Sequence, residues 1–263
     1  MTEELSIEEK IEALGVLEKL AKKDPFSHSL DWAKALKEVA THFYEIGDLS
    51  SAEKYFKQAA ESLTRVCPQN PDEFQPILAI IKYELGKLYR DNNQNNEALE
   101  SLKKSAQLFE SLSTRHPGKF DSDLAASLNN LGLRQNISGN SEAAQESAQK
   151  AVEIYQKLRN ANPKEYSSIL AMSLGTLGTI LKEGGESRKA RNAFRQGLEV
   201  VKTIFIEAPK ENAKTVILLL RDYAGICEEL GNTPDMEMLE PILKTLNHLK
   251  AEEEERQAKE EST

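Results

Sequence analysis

The feature that most constrains this chain is a spacing of 46 residues that several residue types share. Five of the nine prolines keep it, namely Pro25, Pro71, Pro117, Pro163 and Pro209. A second series carries Gly or Asn, at Gly47, Asn93, Gly139, Gly185 and Gly231, and a third carries small residues, at Ala40, Gly86, Gly132, Gly178 and Ala224. Because Gly and Asn tolerate the left-handed conformation that ends a helix, the spacing predicts an internal repeat with one tight turn per unit.

Apolar residues between the turns recur at intervals of three and four. Before the turn they form one stripe, for example Leu170, Leu174, Leu177 and Leu181, and after it a second, for example Ala144, Ala148, Ala151, Val152, Tyr155 and Leu158. This periodicity is typical of amphipathic helices. A lone helical hairpin cannot bury its stripe, so the units are expected to stack. The sequence therefore predicts an all-α protein, an α-solenoid of stacked antiparallel helical hairpins.

The same interval predicts the organisation of the chain. Residues 1–24 are expected to form an N-terminal capping helix, opened by a capping box of Ser6 and Glu9. The repeat array is predicted to span residues 25–231, with units near 25–70, 71–116, 117–162, 163–208 and a partial 209–231. In residues 232–263, Met236 replaces the expected alanine and Pro241 intrudes. The second helix there should start late or kink, and a deviant cap with an acidic tail follows.

Charge and cysteine content narrow the class of partner. The formal net charge is −9, and residues 251–263 supply −4 of it, from six Glu against Arg256 and Lys259. A generally basic nucleic-acid footprint is missing. No secretory signal or apolar run of membrane-spanning length is visible. Cys67 and Cys227 lack a CxxC spacing, as free thiols of a reducing compartment do. We therefore expect a cytoplasmic protein that binds no nucleic acid and does not insert into a membrane.

No pattern of catalytic residues stands out. The sequence contains no GxGxxG, GxxxxGK[ST], GxSxG or HExxH motif, and its four histidines are scattered over different units. No histidine has a second His or Cys at a metal-binding spacing. The expectation is a protein that is not an enzyme and has no cofactor and no metal.

The spacing of residues within a unit resembles that of the tetratricopeptide repeat. Gly132 and Ala144 are 12 residues apart, Ala144 and Ala151 are seven apart, and Leu128 and Leu131 fit the bulky positions. The long unit is similar to that of kinesin-light-chain-like tetratricopeptide arrays, and the resemblance covers roughly residues 7–231. It implies a right-handed superhelix whose concave face binds a partner. It also implies close helix crossings at the small positions, such as Gly132 and Gly178.

Two asparagines in the middle of a predicted helix suggest a binding face. Asn129 and Asn130 are poor helix-interior residues, and they share a face with Leu133 and Asn136. In the family this face lines the groove, where an asparagine can bond a peptide backbone; alternatively, such an asparagine is merely solvated. The 46-residue interval extends the candidate groove to Lys37, Thr41, Tyr44, Tyr83, Lys87, Arg90, Thr179, Lys182 and Arg221.

The predicted function is a non-catalytic protein–protein interaction scaffold that binds a peptide or helical segment of a partner. Its candidate groove holds five bases, namely Lys37, Lys87, Arg90, Lys182 and Arg221, which would attract an acidic segment. Acidic neighbours such as Glu84, Asp91 and Glu229 would neutralise them, and both possibilities stay open. A second hypothesis is a structural or self-associating module, such as a homo-oligomer, in which the groove is incidental.

Overall fold

A computed structural model of the chain describes residues 6–261, which fold into eleven helices and no strand. They divide into two compact units at Ser138 and Gly139. The N-terminal unit contains α1 (Ile7–Lys23), α2 (Pro25–Glu45), α3 (Leu49–Val66), α4 (Pro71–Asp91), α5 (Asn95–Arg115) and α6 (Asp121–Ile137). The C-terminal unit contains α7 (Ser141–Ala161), α8 (Pro163–Glu183), α9 (Ser187–Glu207), α10 (Pro209–Glu229) and α11 (Met236–Glu261). Within each unit consecutive helices pack on one another, which confirms the predicted all-α class.

Proline opens four of the five repeated first helices. Pro25, Pro71, Pro163 and Pro209 occupy the first turn of α2, α4, α8 and α10, where a missing N–H costs nothing. Pro117 departs from this rule, because α6 begins only at Asp121. Gly118, next in the chain, has φ +83°, a left-handed conformation that does not fit a helix. The third unit therefore has a shorter first helix than its neighbours.

The turns fall where the sequence places them. Gly47, Asn93, Gly139, Gly185 and Gly231 all have positive φ, between 57° and 83°. At the first of them, the Gly47 N–H donates to the Tyr44 carbonyl at 3.1 Å and the Asp48 N–H donates to the Phe43 carbonyl at 2.9 Å. Each end of a first helix is thus closed by a left-handed residue, which confirms the 46-residue spacing of the turns.

The small positions allow two helices of a hairpin to approach closely. A Cβ added to Gly86 of α4 would lie 2.5 Å from Cγ of Leu102 on α5, and one added to Gly178 of α8 would lie 2.5 Å from Cε1 of Phe194 on α9. Phe194 is buried, so its ring has little room to move. The crossing expected at Gly178 is confirmed, and Gly132 is buried in α6.

Both terminal helices depart from the repeat. At α1 the predicted capping box is present, with the Glu9 N–H donating to Ser6 Oγ at 3.2 Å and the Ser6 N–H to Glu9 Oε2 at 2.8 Å. At the other end α11 begins at Met236, three residues later than the repeat of α9 would place it. The position of Phe194 is taken there by Glu240, and Ala224 of α10 is exposed. The last hairpin lacks the large apolar side chain that fills the small position at Gly86 and at Gly178.

None of the described helices combines the length and the apolar character that a membrane span would need.

A glycine at a crossing should respond to added volume differently from one in open space. Gly178→Ala is expected to lower the free energy of unfolding by about 1–3 kcal/mol, because the new methyl group overlaps the Phe194 ring. Chemical denaturation followed by far-UV circular dichroism measures it.

The matched control is Gly225→Ala on α10, where an added Cβ meets nothing within 4 Å. That variant should be more stable by about 0.5–1 kcal/mol, because alanine is the better helix former. Equal effects of the two substitutions would contradict a close crossing at Gly178.

Candidate functional site

The candidate residues of the N-terminal unit lie on one side of its first helices. They recur at three positions of the repeat, one occupied by Lys37, Tyr83 and Asn129, the next by Thr41, Lys87 and Leu133, and the third by Tyr44, Arg90 and Asn136. All nine side chains are partly buried on α2, α4 and α6. We call these nine residues with Asn130 the first-helix face.

A pair of tyrosines and a lysine join α2 to α4 in this face. The Tyr44 hydroxyl donates a hydrogen bond to the Asp91 carboxylate. Lys87 Nζ lies 5.7 Å from the ring centroid of Tyr44 and also 5.7 Å from that of Tyr83. A cation this close to two aromatic faces is attracted to both. The lysine therefore holds the two rings in one array.

Asn130 continues the array from α4 to α6. Its Nδ2 donates to the Tyr83 hydroxyl at 3.0 Å and to the Ala126 carbonyl of its own helix at 3.0 Å. Both amide hydrogens are therefore used, and the Oδ1 atom is what Asn130 can offer to a ligand. From the sequence, an asparagine here was expected to offer a peptide its amide donors as well as its acceptor. Asn130 can offer a peptide only the acceptor, because its donors bond Tyr83 and Ala126. The hydrogen bond to Tyr83 also explains a poor helix former in the middle of α6.

The bases of the candidate groove are largely neutralised. Lys87 pairs with Glu84 at 2.8 Å and Arg90 with Asp91 at 2.7 Å. In the C-terminal unit Lys182 pairs with Glu229 at 2.5 Å and Arg221 with Asp222 at 2.9 Å. Lys37 has no ion pair among the described residues. Acidic neighbours thus account for four of the five bases, as the second of the two sequence interpretations supposed.

Burial and the carboxylate change the acidity of the tyrosines. Burial and, after it, the hydrogen bond and charge of Asp91 raise the pKa of Tyr44 to about 12. Burial likewise raises the pKa of Tyr83. The hydrogen bond from Arg90 is the largest cause that lowers the pKa of Asp91. Both phenols therefore remain protonated donors at neutral pH, with a charged acceptor beside Tyr44.

In the C-terminal unit the candidate residues are fewer and their surroundings more apolar. Thr179 Oγ1 donates to the Gly175 carbonyl at 3.1 Å, and the Lys182–Glu229 pair links α8 to α10. One position of the repeat exposes Met172, 57% accessible, and Leu218, 42% accessible. Neither residue was among the candidates predicted from the sequence, although the 46-residue interval relates them.

No group of three or more His, Cys, Asp or Glu side chains within residues 6–257 is arranged to hold a metal ion. Cys67 and Cys227 are buried free thiols, and burial raises the pKa of Cys67, which disfavours its reactive thiolate.

The Tyr44–Asp91 contact predicts a measurable shift. In Asp91→Asn the pKa of Tyr44 should fall from about 12 towards about 10, its ordinary value, because a negative charge that opposes ionisation is lost. The shift should be incomplete, since burial remains. The Cζ signal of labelled tyrosine, assigned with Tyr44→Phe, reports the titration by NMR.

The raised pKa of Tyr44 also predicts how the stability of the fold depends on pH. A raised pKa means that Tyr44 stabilises the fold fully below about pH 10 and that this contribution is lost as the pH rises towards 12. Asp72→Asn, which removes an acid elsewhere on α4, is the control. If both variants leave Tyr44 unchanged, the contact with Asp91 is not formed.

Comparison with known proteins places the fold. A family model described as tetratricopeptide repeat matches residues 77–157. The chain is similar to the crystal structure of BtubC (BKLC) from P. vanneervenii, with 18% identity, a TM-score of 0.65 and coverage of 95% of this chain and 93% of that one. It is also similar to a putative kinesin light chain of Podosopora anserina with nearly identical TPR-like repeats, with 18% identity, a TM-score of 0.59 and coverage of 86% and 97%.

A third similar structure is the apo form of RapI, with 15% identity, a TM-score of 0.53 and coverage of 84% of each chain. No curated protein sequence matches the chain. At these identities the structures show the fold alone. Residues 77–157 thus match the tetratricopeptide repeat model, and the helices of the chain have a fold similar to that of TPR-like repeat proteins.

Proposed function

We propose that the chain is a non-catalytic protein–protein interaction scaffold whose first-helix face binds a peptide or helical segment of a partner. The observation that carries this proposal is the polar and aromatic row of Tyr44, Lys87, Tyr83 and Asn130, which runs across three helices. Solenoids of this kind form extended binding surfaces from equivalent positions of successive repeats. The row lies on the corresponding side of α2, α4 and α6, with its members at neighbouring positions of the repeat.

The chemistry of the row suits a peptide backbone. The Oδ1 atom of Asn130 accepts a backbone N–H, while the faces of Tyr44 and Tyr83 offer rigid apolar area at low entropic cost. Their hydroxyl groups and the amide of Asn130 are already held by neighbours, so little ordering is needed when a ligand binds. Recognition through preorganised bonds and rings is therefore favoured over recognition through charge.

An acidic segment in the partner remains a prediction for this face. Within the part of the chain that the structure describes, Lys37 has no ion pair, and the ion pairs of Lys87 and Arg90 reduce what these two bases contribute to long-range attraction. Association at the first-helix face should consequently depend only weakly on salt. In the C-terminal unit the candidate binding residues are Thr179, Lys182 and Arg221.

Exposed apolar residues favour self-association as the alternative. Val16 on α1 is 61% accessible and Ile217 on α10 is 52% accessible, and both lie on helices at an end of the repeat. Sedimentation velocity at increasing concentration tests it, with Val16→Ser/Ile217→Ser as the variant. A dimer that dissociates in this variant would support self-association, and a monomer at every concentration would remove the alternative.

The groove proposal can be tested without a known partner. Peptides selected from an unbiased phage-displayed library against the whole protein serve as probes, and surface plasmon resonance measures their rates. Asn130→Ala should raise the dissociation rate about five- to tenfold, the loss expected for one or two short-range bonds. Tyr83→Phe, which removes the hydroxyl that orients Asn130, should act in the same direction.

Two controls make the result specific. Asn92→Ala removes an amide from the exposed turn after α4, outside the first-helix face, and should leave the rates unchanged. Denaturation midpoints of all variants exclude unfolding as the cause. Selected peptides that bind Asn130→Ala, Asn129→Ala and Tyr83→Phe like the parent would overturn the proposal.

A further inference from the structure

One lysine breaks the apolar pattern of the repeat. The position of Lys82 on α4 is occupied by leucine in the four other units, at Leu36, Leu128, Leu174 and Leu220. Leu36 is 1% and Leu174 3% accessible, and Leu128 and Leu220 are partly buried, so the repeat places an apolar side chain at this position. A charged side chain there loses hydration that leucine does not need. This cost requires a compensating interaction.

The described residues do not supply that interaction. Lys82 is partly buried, and its ammonium group has no hydrogen-bond or ion-pair partner in the part of the chain that the structure describes. Burial lowers its pKa, with the charges of Lys104 and Lys57 acting in the same direction and those of Glu100 and Glu61 opposing them. The ammonium group is thus partly desolvated, and an anionic partner would stabilise it.

Lys82 lies in the wall of a cleft in the N-terminal unit. The cleft, of about 790 Å³, runs between α3 and α5 with α4 at its base, and we call it the α3–α5 cleft. Five bases line it, Lys57, Arg65, Lys82, Lys103 and Lys104, against three acids, Glu61, Glu97 and Glu100. Lys57 is paired with Glu53 at 2.6 Å, whereas Arg65, Lys103 and Lys104 have no ion pair within the described residues.

The base of the cleft is apolar. Ala60, Leu85 and Tyr89 line it, and the chain leaves at most 5% of each of these residues accessible. Lys57 Nζ lies 5.9 Å from the centroid of the Tyr89 ring. Ala60, Leu85 and Tyr89 offer little surface of their own, so the aliphatic stems of the lysines that line the cleft supply its apolar part. Such stems, each ending in an ammonium group, complement a segment that has apolar side chains on one face and carboxylates beside them. The interleaved acids disfavour a small, doubly charged ligand such as phosphate.

We propose that the α3–α5 cleft is a second binding site, which takes an acidic amphipathic helical segment of a partner protein and sets one of its carboxylates against Lys82. The site uses none of the residues of the first-helix face. The local surplus of bases contrasts with the net charge of −9 of the whole chain. An acidic partner is therefore steered to this cleft and repelled by much of the remaining surface.

The test uses a defined probe and the whole protein. The probe is a labelled helical peptide with leucines at helical spacing and glutamates beside them. The matched control is the same peptide with each glutamate replaced by glutamine. The parent should bind the glutamate peptide at least about tenfold more tightly by fluorescence anisotropy, and Lys82→Leu should lose about tenfold of that affinity, as one charge-assisted hydrogen bond requires. In the parent, the Lys82 Nζ signal should shift on binding.

Lys82→Leu introduces the residue that the other four units carry, so this variant should fold and have a raised melting temperature. A loss of peptide binding in Lys82→Leu then cannot be attributed to unfolding. Lys34→Leu, an exposed base on α2, makes the same change of charge away from the cleft and should bind like the parent. Asn130→Ala should also bind like the parent, which separates this site from the first-helix face.

Three outcomes would overturn the proposal. Equal affinity for the glutamate and glutamine peptides would remove the role of charge. Equal loss in Lys82→Leu and Lys34→Leu would show non-specific attraction. Displacement of the peptide by millimolar inorganic phosphate, together with a shift of Lys82 Nζ caused by phosphate alone, would assign the site to a small anion.

Discussion

The structure depends on close contact between the two helices of a hairpin at one small residue. At Gly178 the ring of Phe194 occupies the space that a Cβ would need, and at Gly86 the side chain of Leu102 does the same. Because these contacts fix how α5 lies on α4 and how α9 lies on α8, equivalent residues of neighbouring repeats within a unit fall on the same side. At α11 the residue at the position of Phe194 is Glu240 and Ala224 of α10 is exposed, and there the hairpin departs from the pattern.

Because the repeats are in regular register, one changed residue in a repeat alters the chemistry of a surface that several helices share. In the N-terminal unit this register brings Tyr44, Tyr83 and Asn130 to one side of the first helices, where hydrogen bonds and ion pairs join them and their neighbours. On the other side of α4 it places Lys82 where leucine is the rule, next to bases without carboxylate partners. The two sides differ in kind, since the first has its charges balanced and the second has a surplus of positive charge. They would select different features of a partner, backbone geometry in one case and negative charge in the other.

Much of the fold follows from the sequence because turns and small residues act locally. Left-handed conformations at Gly47 and Asn93, the capping box of Ser6 and the crossing at Gly178 are each decided by a few neighbouring residues. The late start of α6 depends on Gly118, which lies outside the repeated pattern. The hydrogen bond between Asn130 and Tyr83 joins residues 47 apart in sequence. Periodicity predicts which face of a helix each residue lies on, but it does not predict which residue it will bond. The sequence alone shows that Lys82 stands where the other units have leucine. That it lacks an ion pair within the described residues depends on the directions of the neighbouring carboxylates, which only the structure shows.

The central claim is that the first-helix face of the N-terminal unit is the surface that recognises a partner. The most direct measurement is to record side-chain NMR signals of the tyrosines and asparagines while a library-selected peptide is added to the intact protein. The account predicts that Tyr44, Tyr83 and Asn130 shift together and saturate at one peptide concentration, while Tyr223 of α10 stays unchanged. Saturable binding that leaves those three signals in place would contradict it.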